Sequence, residues 1–205
     1  MRKQLVLTLG LITLITHVTR GGQEELASSI NQTRQEATAT SAQLNSALAA
    51  LNSLVSQEKG DLHPAYQAFK AEIPKTQEAS KATAARVQKM SDQKEKYFAD
   101  WQKTVDSINN KSLQKKAQKR LKAASESYDK VEAALSAAGE KFRPFLSDLS
   151  DVDKALSHDV TARGVKGMKG VVRSANWNYK AVSASMNDAL KEMEKMEKAL
   201  SSHAT

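Results

Sequence analysis

Apolar residues recur at alternating spacings of four and three along most of this chain. The longest unbroken run is Ala117, Leu121, Ala124, Tyr128, Val131, Leu135, Ala138, Phe142, Phe145, Leu149, Val152 and Leu156. That rhythm holds one narrow stripe on one side of a very long helix, and such a stripe is buried only against other long helices.

Three further stretches carry the same rhythm. Past Gly21-Gly22, a first helix is predicted to about Lys59 on Leu26, Ile30, Thr33, Ala37, Thr40, Leu44, Ala47, Leu51 and Leu54, with Leu48 and Val55 widening the stripe. Gly60-Asp61 ends it, as Gly just beyond a helix does. A second helix starts around Leu62-His63-Pro64, where Pro is tolerated in the first turn. Its stripe is Leu62, Tyr66, Phe69, Ile73, Thr76, Ser80, Thr83, Val87, Met90, Lys94, Tyr97, Trp101, Thr104 and Ile108. Pro74 lies inside and predicts a kink or brief interruption. Lys94 holds a seam position in a polar, small-residue waist. It reads as a lysine snorkelling outward, with a buried functional lysine as the competing reading.

Asn109-Asn110-Lys111 predicts a turn, and Ser112 the cap of the third helix, in which Pro144 predicts a second kink. Thr161 is the expected cap of the fourth, whose stripe is Val165, Met168, Val172, Ala175, Tyr179, Val182, Met186, Ala189, Met193, Met196 and Leu200. The expected fold is all-α: an elongated antiparallel four-helix, coiled-coil-like, up-down-up-down bundle, because short connections make successive helices antiparallel. At 1.5 Å per residue its helices would give a rod of about 50–65 Å.

Composition agrees. Of 205 residues only three are Pro and eight Gly, and aromatics are 5%, so the core is built mainly from Ala, Leu, Val and Met. Each layer then buries little apolar area, and stability must come from many layers. There is no cysteine, which excludes disulfides, thiol chemistry and a lipidated Cys. The net charge of +8 is uneven: residues 1–22 hold Arg2, Lys3 and Arg20 and no acid, leaving 28 basic against 23 acidic residues beyond them.

The N-terminus reads as an address. Met1-Arg2-Lys3 is a short basic start, and Leu5 to Val18 is a mostly apolar run too short for a typical membrane span. Residues 1–21 are expected to be a secretory signal peptide, with Thr19 and Gly21 allowing cleavage before Gly22, or an uncleaved N-terminal anchor; the competing reading is a buried helix of the fold. Residues 22–205 would be one bundle domain. Export to the periplasm or cell envelope of a bacterium follows from that reading.

Several landmarks punctuate the heptads in order: Gly60-Asp61-Leu62 with Tyr66; Tyr97-Phe98-Ala99-Asp100-Trp101; Phe142-Arg143-Pro144-Phe145-Leu146-Ser147-Asp148-Leu149; and Leu156 with Asp159 and Thr161. In these the chain resembles a family of exported bacterial coiled-coil proteins catalogued as a domain of unknown function, number twenty-nine fifty-nine, over roughly residues 25 to 200. The resemblance implies an envelope-located helical protein and brings no catalytic or ligand residues. Many members carry a lipidation Cys after the signal; this chain departs from that pattern.

Catalytic signatures are lacking. His17, His63, His158 and His203 stand at no metal-ligand spacing from one another. Asp148, Asp151, Asp153 and Asp159 gather near His158 in sequence, which reads as solvated helix-face charge, with an opportunistic cation site as the sharper alternative. The Glu-x-x-His pair of di-iron bundles is absent. Gly164, Gly167 and Gly170 follow no strand and form no phosphate loop, so they read as a weakened or closely packed stretch of helix. No enzyme activity, cofactor, metal or small-molecule substrate is expected.

Two surface features remain. Lys111, Lys115, Lys116, Lys119, Arg120 and Lys122 place six cations and no acid in twelve residues. They read as a solvated face, or as a contact for anionic membrane lipid with help from Tyr97, Phe98 and Trp101. Trp177 points away from the fourth stripe, which marks a contact with a protein partner or a second protomer, unless it tucks against a neighbour or stacks on Arg173. The expected function is therefore a non-enzymatic cell-envelope scaffold, spacer or protein-interaction module. The alternative is a peripheral binder of anionic membrane through Lys111–Lys122. Nucleic acid is disfavoured by export and by the modest charge beyond residue 22.

Overall fold

The computed structural model describes residues 4–57 and 60–201, with side chains described from Gly21 onward, apart from Ser201. All regular structure in these residues is helical: α1 (Gln4–Ser56), α2 (His63–Asp106), α3 (Lys111–Leu156), α4 (Ala162–Gly167) and α5 (Lys169–Ser201). The basic start Met1–Lys3 and His203 lie outside the described residues, as do the side chains of Leu5–Val18 and His17. Among the described residues no helix is long and apolar enough to cross a membrane.

Each boundary has a local cause. Gly60 takes φ 94°, a left-handed conformation that only glycine adopts without cost. Asp61 Oδ1 then accepts from the backbone N–H of His63 at 2.9 Å, capping α2 ahead of Pro64. Asn110, not Ser112, caps α3: its Oδ1 accepts from Leu113 N at 3.1 Å, and the helix is under way at Lys111. Asn110 reaches an amide three residues ahead, the geometry of a cap, whereas Ser112 already lies inside the first turn. Thr161 does cap α4, accepting from Gly164 N at 3.1 Å.

Two expectations are corrected and a third is narrowed. The last helical stretch is two helices, so the described chain has five, not four. At Met168 (φ −81°, ψ −4°) the N–H bonds back to Val165 and Lys166 before α5 restarts, in the stretch that Gly164, Gly167 and Gly170 weaken. At Pro74 and Pro144 the helices run on unbroken, which leaves a kink and not an interruption as the reading of both positions. Both lie on exposed faces, so the carbonyl each leaves without its helical donor faces water. Finally, α1 runs through Gly21-Gly22 instead of starting there.

The chain divides into two compact units: Met1–Thr33 with Arg86–Val131 and Glu192–Thr205, and Arg34–Ala85 with Glu132–Lys191. The second unit holds a continuous core. Leu44, Leu51 and Leu54 of α1, Tyr66 and Phe69 of α2, Phe145, Leu149 and Leu156 of α3, Val165 of α4 and Ala175 and Val182 of α5 are all buried in it. Its polar layer is narrow. Thr40 donates to the Ala79 carbonyl at 3.0 Å and lies 2.8 Å from Thr83 Oγ1, so two buried hydroxyls satisfy each other and the backbone.

In the first unit Leu26 and Ile30 of α1, Met90, Phe98 and Val105 of α2, Leu121, Tyr128 and Val131 of α3, and Met193, Met196 and Leu200 of α5 are buried. Phe98 and Val105 lie off the expected stripe, while Tyr97, Trp101, Thr104 and Ile108 are only half-buried. The packing explains this. Phe98 stacks on Trp101 (13° between planes) and meets Tyr128 edge-on, so the aromatic group rotates the buried face of α2.

Candidate functional site

In the first unit the opening turns of α3 carry the cationic cluster. Lys111, Lys115, Lys116, Lys119, Arg120 and Lys122 are all exposed. Lys111 Nζ contacts Gln114 Oε1 at 3.3 Å, and Lys122 pairs with Glu126 at 3.7 Å, both within the helix surface. Leu113 stands among these cations and is 56% exposed. A large aliphatic side chain so exposed within a cationic turn gives the patch an apolar point, which the sequence reading did not single out.

The aromatic trio belongs to the same unit. Tyr97 and Phe98 meet edge-on at 5.2 Å between centroids, and Tyr97 and Trp101 lie 5.7 Å apart. Burial pushes the Tyr97 phenol above its ordinary value, and the nearby Arg120 guanidinium pulls the other way. That opposing pull links the trio to the cationic cluster. The trio is therefore a wall beside the cations, with Phe98 buried and Tyr97 and Trp101 half-buried, not a free surface.

Lys94 sits close to this wall. Its side chain is only 19% exposed, with Nζ 3.3 Å from Asp129 Oδ1 and 5.0 Å from the centre of the Tyr128 ring. A carboxylate and a π face together hold the charge at the helix boundary, and the stem covers apolar surface. The same unit contains an open, polar cleft of about 470 Å³. Glu24, Glu25, Ser28 and Gln32 line it from α1, and Lys89 and Gln93 from α2. Nothing in the sequence sets these apart from ordinary helix-surface residues.

The acidic residues near His158 belong to the second unit, and three of them perform structural work. Asp148 accepts from Asn178 at 2.7 Å, Asp153 accepts the Tyr66 hydroxyl at 2.7 Å, and Asp159 accepts the Thr161 hydroxyl at 2.7 Å. Asp151 pairs with Lys154 at 3.1 Å on the surface. Among the described residues no three His, Cys, Asp or Glu side chains gather as metal ligands.

Trp177, on α5 in this unit, is 74% exposed. It is turned away from the core, as its register relative to Ala175 and Tyr179 requires, and is not tucked against a neighbour. Tyr179 instead packs on Phe145, ring centres 5.9 Å apart.

The sequence pattern described as "Protein of unknown function (DUF2959)" matches residues 16–200. No curated protein and no solved structure matches the chain.

Proposed function

The chain belongs to the DUF2959 family of proteins of unknown function, and from that premise we propose that it is a non-enzymatic helical scaffold or interaction module of the bacterial cell envelope. The observation that carries this reading is where the side chains go. The helices commit their apolar stripes to internal cores, and the acidic residues that looked most like a reactive cluster are spent on intrachain hydrogen bonds. What is left facing outward is charge, with Leu113 and Trp177 as the large apolar side chains exposed among the described residues. Such a surface offers contacts, not chemistry.

The proposed arrangement is an antiparallel, up-down-up-down four-helix bundle in which α4 and α5 together supply the fourth helix. Within the second unit the cross-helix pairs support it. Thr40 meets Thr83 while Gln43 meets Glu72, and Asn45 meets Tyr179 while Asn52 meets Asn176. In both pairs one residue number rises as the other falls. Envelope location is supported by the basic start and apolar run of residues 1–21.

Intact mass and cell fractionation of the native protein test the reading. A species shortened by about twenty residues in the periplasm, or a full-length one in the membrane pellet, agrees with export by a signal or anchor. Full-length protein in the cytoplasm overturns it.

A second reading is favoured by Leu113: the start of α3 binds an anionic membrane surface peripherally. An exposed leucine among six cations combines an apolar anchor with electrostatic attraction, the pairing that interfacial helices use. Charge reversal at Lys115, Lys116, Lys119 and Arg120 should abolish retention on acidic liposomes; unchanged retention rejects it.

A further inference from the structure

A second cationic surface lies on α4 and α5, in the other unit, and shares no residue with the first. Between residues 160 and 187 the chain has no Asp or Glu, but it has Arg163, Lys166, Lys169, Arg173 and Lys180. All five are exposed, and among the described residues none is held in an ion pair. The spacing places two of them beside Trp177: Arg173 is one turn before it and Lys180 one turn after, on the side of α5 opposite Val172, Ala175 and Val182. Gly167 and Gly170 add no side chain between the cations, and a Cβ at either would meet nothing within 4 Å.

We propose that this cationic surface of α4 and α5, with Trp177 between Arg173 and Lys180, docks on the headgroup layer of an acidic phospholipid membrane. The chemistry fits in two parts. Five unpaired cations, two on α4 and three on α5, complement a surface of fixed negative charge. A lone indole with an apolar body and an N–H donor is the side chain that settles at the headgroup level, where one end is apolar and the other wet. A buried role for Trp177 is closed by its 74% exposure. The face goes beyond the Lys111–Lys122 reading and stands or falls separately from it.

Trp177 supplies its own probe. In full-length Trp101→Phe protein, Trp177 is the remaining tryptophan. Its fluorescence should shift to the blue on vesicles of equal phosphatidylglycerol and phosphatidylcholine, and stay unchanged on pure phosphatidylcholine. Arg173→Glu with Lys180→Glu should weaken that binding by roughly thirtyfold or more, the loss of two attractive cations, with helicity retained. Reversal of Lys115, Lys116 and Lys119 should leave the Trp177 shift in place at saturating lipid, which separates this face from the first. No shift on acidic vesicles, an equal shift on neutral ones, or indifference to the Arg173/Lys180 pair overturns the proposal. So does a shift that appears only with rising protein concentration, since the occupant would then be a second copy of the chain. If Trp101→Phe lowers the melting temperature, the difference spectrum between native and Trp177→Phe protein gives the same readout.

Discussion

The Tyr66 hydroxyl donates to Asp153 Oδ1 at 2.7 Å, tying the first turns of α2 to the last turns of α3 across the core of one unit. Burial and the neighbouring carboxylate both favour the neutral phenol, and its pKa is pushed up from 10.0 to about 12. The sign follows directly. The folded state holds this proton more tightly than the unfolded chain, so the contribution is complete below pH 10 and is lost as pH rises toward 12. Tyr66→Phe should cost about 1.5–3 kcal/mol at neutral pH, as expected for a hydrogen bond to a charged group. The variant should also lose less stability than the native protein between pH 10 and 12. Denaturant unfolding at pH 7 and at the alkaline end checks both, and parallel losses in the two proteins would reject the linkage.

The Thr40–Thr83 pair makes a different prediction. Thr40 gives its proton to the Ala79 carbonyl, so Thr83 must donate to Thr40. Thr40→Val alone strands the Thr83 hydroxyl and should cost about 1–3 kcal/mol, whereas replacing both by Val removes donor and acceptor together and should be nearly neutral. A double-mutant cycle measures this as a coupling energy. Strictly additive losses would mean that the two hydroxyls do not depend on each other.

The seams were legible because burial and period are one signal. Every stripe position from Leu26 to Leu54 is buried, and so is each from Tyr128 to Leu156 in α3. Legibility failed where a local contact outweighed the period. Phe98 is drawn inward by Trp101, one turn on, and by Tyr128 of α3, a contact between helices that no heptad count on α2 reveals. The cap at Asn110 was hidden because Asn, Lys and Ser follow one another and each suits a turn. The glycine triplet was legible as a weakness, but the helix break at Met168 depends on backbone geometry. Of the surfaces, Trp177 was visible from register alone. Leu113 was not, since it lies in the first turn of α3, ahead of the stripe that begins at Ala117.

Glycine substitutions should separate within a single segment. At Gly164 a Cβ would press on the Asp159 backbone carbonyl, which cannot turn aside as a flexible side chain can. Gly164→Ala should therefore destabilise by about 1–3 kcal/mol. Gly167 and Gly170 have open space and no positive φ, so Ala at either should stabilise by about 0.5–1 kcal/mol through helix propensity. Thermal melts of the three variants decide it, and a common sign for all three would sink the argument.

Core and surface aromatics give the sharpest contrast. Phe145 is fully buried and packs on Tyr179, and its neighbours on α3 are held by the same core. Phe145→Ala removes a large side chain from close packing and leaves a cavity, at a cost of about 3–5 kcal/mol. Trp177 is the larger side chain, but it is 74% exposed and its removal opens no cavity. Trp177→Ala should change stability by no more than about 0.5 kcal/mol. Chemical unfolding of the two variants measures the difference. A loss at Trp177 comparable to that at Phe145 would show the indole to be part of a packed intrachain contact, and the outward face of α5 would no longer be free to bind anything.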